Sequence, residues 1–187
     1  MIQTHRYLLS SILSLVSTAC AGQAGTLYLE PTPSDAVDAG DSTSEQTLVA
    51  SHVQVLLDRI TASNAKDWDA WQNMHTRDAV RTAPGLPGPV LGSAAMRERI
   101  EELFVTFPDY HLELVDAFGE GDELSARIHT KATMSGPLVL GENTIPATGK
   151  TFEQDWIGIL RFEGNKIASI DEFYDNYEIL AQLGLAQ

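Results

Sequence analysis

Residues 148–185 read T-G-K-T-F-E-Q-D-W-I-G-I-L-R-F-E-G-N-K-I-A-S-I-D-E-F-Y-D-N-Y-E-I-L-A-Q-L-G-L. Two runs of alternating apolar and polar residues, 152–162 and 166–175, flank Glu163-Gly164-Asn165. This pattern predicts adjacent antiparallel strands joined by a tight turn. The second run ends in Asp171, Glu172, Phe173, Tyr174 and Asp175, before a short apolar tail. Side chains alternate along a strand, so Ser169, Asp171, Phe173 and Asp175 share one face, and Ile170, Glu172 and Tyr174 the other. With the first face inward, Asp171 lies beside Phe173 and Trp156, where loss of solvation would suit it to acid/base work near neutrality. Asp175 then sits nearer the mouth. Two other readings stand beside this one. The carboxylates are edge charges on a solvated strand, or a bulge exchanges the faces and makes Glu172 the inward acid.

Upstream the pattern changes period. Val49, Val53, Leu56, Leu57 and Ile60 recur every three or four residues and predict a helix over 47–63, with His52 off the apolar face and solvated. A second helix is expected over 67–75, with Asp67 as its cap and Trp68, Trp71 and Met74 on one side. Trp71 reads as core packing or as the lining of a cavity. Residues 83–89 hold three prolines and two glycines and form a loop. A third helix, 93–107, is capped by Ser93, faces inward with Met96, Ile100, Leu103, Phe104 and Phe107, and ends at Pro108. Alternating strands follow at 110–118 and 123–134, with His129 on the charged outer side. Residues 137–146 form a Gly/Pro-containing excursion. Helices followed by strands define an α+β class, three N-terminal helices packed on one face of an antiparallel sheet.

A formal net charge of −14 leaves nothing to neutralise phosphates, so nucleic acid is not an expected partner. The only cysteine, Cys20, excludes an intramolecular disulfide and a cysteine metal site. Cys20 closes a leader, residues 1–21, with a positive start (His5, Arg6), an apolar stretch and small residues. Either ordinary cleavage follows Ala21, or Cys20 becomes the lipidated first residue of an envelope lipoprotein. Residues 22–45 are rich in Gly, Ala, Ser, Thr, Pro and Asp and read as a tether, leaving 46–187 as the folded domain.

Phe107-Pro108-Asp109-Tyr110, Gly121-Asp122-Glu123, Thr133-Met134-Ser135-Gly136, Pro146-Ala147-Thr148-Gly149-Lys150, Gly164-Asn165-Lys166-Ile167 and Tyr174-Asp175 stand in the order seen in SnoaL-like proteins. These belong to the nuclear-transport-factor-like cone-fold superfamily, and the resemblance spans about 48–185. It implies a strongly curved antiparallel sheet closed by helices into a cone with a mostly apolar cavity. It also implies chemistry with no cofactor and no metal, as in polyketide cyclases that use an aspartate as general acid/base. Relatives include epoxide hydrolases with an Asp–Arg–Asp set, ketosteroid isomerases, and domains with no known reaction. Thr82 and Ala83 stand where the family often carries a histidine and an acid, and Met134 replaces a frequent pocket histidine.

The resulting expectation is an exported enzyme of cyclase or isomerase type acting on an apolar carbonyl compound. Asp171, with Asp175, would supply the acid/base group, and Trp71, Met134, Trp156 and Phe173 would shape the cavity. The alternative is a non-catalytic envelope-associated carrier or dimerisation module. A homodimer is expected in either case, with membrane attachment only through Cys20. Radiolabelled palmitate should enter the full-length chain but not Cys20→Ser; labelling of a control lipoprotein alone would remove the anchor.

Overall fold

The computed structural model describes residues 39–140 and 143–186; the leader, Cys20 and residues 22–38 lie outside the described residues. The chain runs α1 (Ala39–Ala65), α2 (Trp68–Asn73), β1 (His75–Thr82), β2 (Val90–Leu91), α3 (Ser93–Thr106), β3 (His111–Glu120) and β4 (Glu123–Thr133). It continues through β5 (Leu138–Leu140), β6 (Asn143–Ile145), β7 (Thr151–Glu163), β8 (Lys166–Phe173) and α4 (Asn176–Gln182).

The first helix buries its apolar stripe through Leu56 and Ile60, as its spacing requires. It begins at Ala39, inside the stretch expected to be tether. Its added turns are held at Glu45, whose carboxylate accepts the N–H of Gly121 in the β3–β4 turn at 3.1 Å. His52 was expected in solvent and is instead fully buried. Its ring stacks on Phe162 at 4.0 Å, and its Nε2–H donates to Gly164 O at 3.2 Å, fastening the β7–β8 turn to α1. Gly164 takes a φ of 58°, which glycine accepts without strain in a two-residue hairpin loop.

Asp67 caps α2 as predicted, accepting from Ala70 N at 3.0 Å. Ser93 does not cap α3: the cap position is Gly92, at φ 88°, with no side-chain hydrogen bond there. The tail expected after the last strand forms a fourth helix. Asp175 is its cap and accepts from Tyr177 N and Glu178 N at 2.9 and 3.1 Å.

Six strands form one sheet in the order β2-β1-β8-β7-β4-β3, and β5 and β6 pair by themselves within the expected excursion. The sheet is mixed rather than purely antiparallel, because β1 runs parallel to β8. More than half of the folded domain separates those two strands, so no short turn dictates their sense. Alternation places Leu124, Ala126, Ile128 and Ala132 of β4 inward, as the sequence predicts. The main core gathers Leu56, Trp71, Met96, Ile128, Leu160 and Ile170, and a second cluster holds Phe107, Met134, Phe152 and Leu183.

A polar chain crosses the main core and joins α1, α2 and β1. Arg59 Nε–H donates to His75 Nε2 at 3.2 Å, and His75 Nδ1–H donates to Trp71 O at 2.9 Å. Arginine cannot accept, so Nε2 must carry the lone pair and the imidazole is neutral. Burial, and then the Arg59 charge, push His75 down to about 3.

The unfolded histidine takes its proton near 6.5 and the folded one only near 3. The stability contributed is therefore full above about pH 6.5 and is lost as the pH falls toward 3. His75→Gln keeps a donor and an acceptor but cannot titrate. Between pH 7 and 5 the native chain should lose about 2 kcal/mol that the variant does not, read from urea unfolding at both values. Asp175→Ala should lower stability by about 1 kcal/mol in the same measurement, through loss of the α4 cap.

Candidate active site

The site is decided by one extra residue in β8. Phe162 pairs with Ile167, but Arg161 pairs with Ser169, leaving Ala168 unmatched. A bulge of this kind moves every later side chain to the opposite face. Ile170 and Glu172 are therefore buried, while Phe173 is 55% exposed.

The assignment of Asp171 and Phe173 to the inner face is thus corrected, and the bulge reading holds. Asp171 sits on the outer side, hydrogen-bonded by the hydroxyl of Thr82 on the parallel neighbour. Phe173 lies opposite Ile157, itself 41% exposed, and away from Trp156. Asp175 is spent on the α4 cap. Met134 is buried in the second apolar cluster, whereas Trp71 and Trp156 both belong to the main core. Trp156 Nε1–H donates to Thr130 Oγ1 at 2.8 Å, which satisfies the indole in an apolar setting.

Glu172 meets Arg81 on the inner face. Arg81 Nε and Nη2 donate to its two carboxylate oxygens at 2.8 and 2.7 Å, a bidentate pair. The parallel register sets Arg81 beside Ile170 and Thr82 beside Asp171, so the guanidinium reaches the carboxylate from the adjacent strand. Burial pulls Arg81 down, but the charge and hydrogen bonds of Glu172 outweigh it and leave the guanidinium raised. Burial, followed by the Glu172 charge, pushes Tyr110 up to about 12 and raises Tyr174 as well. Both phenols therefore keep their protons at neutral pH. Tyr174 O–H donates to Pro84 O at 2.7 Å and ties the proline loop to the end of β8.

Exposure falls along this set, from 17% for the Arg81 side chain to 7% for Glu172 and 4% for Arg59. The inner-face charges Arg81, Glu172 and Arg59 are therefore progressively more buried. A carboxylate fixed by a guanidinium, with the protonated Tyr110 phenol within its electrostatic reach, can move a proton and stabilise the oxyanion that results. Among the described residues no group of three or more His, Cys, Asp or Glu is arranged to hold a metal ion.

The sequence reading did not single out Arg59, His75, Arg81 or Tyr110. Arg59 did carry a signal: it stands three residues after Leu56 and seven after His52, on the stripe that α1 buries. A charge on an apolar stripe is unexpected unless it serves a partner.

Residues 52–183 match the family model for SnoaL-like polyketide cyclases. TsrD from Streptomyces laurentii is similar at 28% identity, with a TM-score of 0.62 over 73% of this chain and 96% of that one. AclR, a candidate hydroxylase from Streptomyces galilaeus, is 25% identical, with a TM-score of 0.62 over 74% and 98%. A candidate SnoaL-like polyketide cyclase from Jannaschia sp. CCS1 shares the fold at a TM-score of 0.65 and 17% identity, over 74% and 94%. No curated protein matches the chain in sequence. The family model spans most of the chain and all of the strands that build the polar inner face, so the chain belongs to the SnoaL-like polyketide cyclase family.

Proposed function

We propose that this chain is an enzyme of cyclase or isomerase type that transfers a proton on a small carbonyl compound without a cofactor. The observation that carries the reading is the buried Arg81–Glu172 pair on the inner face. Taking such a pair out of water costs several kcal/mol per ion, and a well-packed apolar pair would serve stability as well. A pair of that cost supports a chemical role. Two proteins of the same fold, one in complex with trimethylamine and one co-crystallised with polyporic acid, support a small ligand in this class of structure.

In this mechanism Glu172 removes a proton from the carbon next to the carbonyl. Two bonds of Arg81 hold the carboxylate in place, while its Nη1 meets no acceptor among the described residues. That group and the Tyr110 phenol donate to the developing enolate oxygen. Glu172 then returns the proton at another carbon, or the enolate carbon attacks a second carbonyl, closing a ring, and the alkoxide so formed takes the proton back from Glu172.

The test follows α-hydrogen exchange of 2-tetralone with deuterated solvent by NMR. Glu172→Gln should slow enzyme-dependent exchange by about 10²–10⁴-fold, and Asp171→Asn should stay within a few-fold of native. Equal rates for native and Glu172→Gln would sink the assignment. Ketone binding without any exchange would favour the carrier.

Export through the leader and anchoring at Cys20 remain part of this proposal, carried by the sequence. The expected homodimer is supported by the outer sheet face, where the exposed Ile157 and Phe173 adjoin Arg127 and Asp116 across neighbouring strands. Light scattering should give twice the monomer mass for the native chain and the monomer mass for Phe173→Asp.

A further inference from the structure

The polar inner face holds more positive than negative charge. Arg59 and Arg81 stand there against one carboxylate, Glu172, and His75 is neutral by its hydrogen bonds. Arg59 is 4% exposed and spends only its Nε–H, on His75. Its Nη1 and Nη2 groups meet no acceptor among the described residues. Its guanidinium carbon lies 5.2 Å from the Trp71 ring centre, and Trp71 is itself 1% exposed. The Trp71 Nε1–H is buried with no hydrogen-bond partner. Burial lowers Arg59 only to about 10, so the guanidinium is charged at neutral pH.

Arg59 shares with Arg81 the single Glu172 charge, and a buried cation only partly neutralised and a buried N–H without an acceptor are each destabilising. Here both lie in one place, the guanidinium directly over the Trp71 ring. The arrangement opposes the character of the whole chain, whose net charge of −14 repels anions at long range. Stability alone would be served by an apolar residue at position 59, as at Leu56 and Ile60 on the same stripe. The defect is therefore complementary to a group that is absent from the chain itself: a small anion with acceptor oxygens.

We infer that the inner site takes an apolar small molecule ending in a carboxylate, whose charge is met by Arg59 beside the Trp71 Nε1–H. This rests on the reading of the inner face as the ligand site, and it names the class of substrate: a keto acid or a similar carboxylate-bearing carbonyl compound. The carboxylate end lies at Arg59 and the reacting carbonyl nearer Arg81 and Glu172. A neutral compound of the same size leaves Arg59 and Trp71 unanswered and binds less well.

The test is calorimetric titration of the full chain at pH 7 with octanoate and with its neutral counterpart, octanamide. Octanoate should bind at least about tenfold more tightly than octanamide. Arg59→Gln should weaken octanoate by about tenfold or more and leave octanamide unchanged. Trp71→Phe, which keeps the ring and removes the N–H, should weaken octanoate by a few-fold. Glu172→Gln removes the competing negative charge and should tighten octanoate. That variant and Trp71→Phe carry the test if Arg59→Gln does not fold. Equal affinity for the two probes, no binding of octanoate, or weaker octanoate binding in Glu172→Gln would overturn the inference. Octanoate has no ketone, so this result stands apart from the 2-tetralone exchange that tests Glu172 as the acid/base.

Discussion

The unmatched Ala168 in β8 is the constraint on which the inner face depends. Side-chain direction in a strand has a period of two, so one inserted residue reverses everything beyond it. Before the bulge, Phe162 and Ile167 face inward as a pair; after it, Ile170 and Glu172 do. Without that residue the same sequence would bury Asp171 and Phe173 and send Glu172 to solvent. The parallel pairing of β1 with β8 completes the arrangement, because it sets the guanidinium on the same side as the carboxylate it holds.

The core tolerates this polarity through exact pairing of hydrogen-bond types. Arg81 and Glu172 satisfy one another bidentately, Trp156 is answered by Thr130, and His75 both accepts from Arg59 and donates to Trp71. Among the described residues the buried side-chain atoms left without a partner are the Trp71 N–H, which lies by Arg59, together with His52 Nδ1 and Ser63 Oγ. Around them Leu56, Ile128, Leu160 and Ile170 supply an apolar wall in which charges are weakly screened. This setting makes a fixed carboxylate chemically useful and also makes it costly.

The departures from the family pattern point the same way. By the resemblance, Thr82 and Ala83 stand where a histidine and an acid are frequent, and Met134 where a histidine is, which implied an interior poor in polar groups. The polarity is present but is carried by other positions. Thr82 instead serves Asp171 on the outer side, and Met134 joins Phe107 and Leu183 in a separate cluster. Histidine enters at His75, the first residue of β1, immediately after the helix to which it was assigned by periodicity.

The sequence by itself determined the three helices, the apolar stripe of α1, the inward residues of β4, the hairpin at Gly164 and the family. Each of these is written in local spacing or in turn chemistry within a few residues. It also exposed both possible faces of the last strand. Only the tertiary structure decided between them, because the three-residue step from Ile167 to Ile170 breaks the alternation without placing the extra residue, and pairing with β7 fixes it at Ala168. The parallel sense of β1, the burial of His52 against Phe162 and the meeting of Arg81 with Glu172 are likewise long-range. They join residues about a hundred positions apart, where no periodicity reaches.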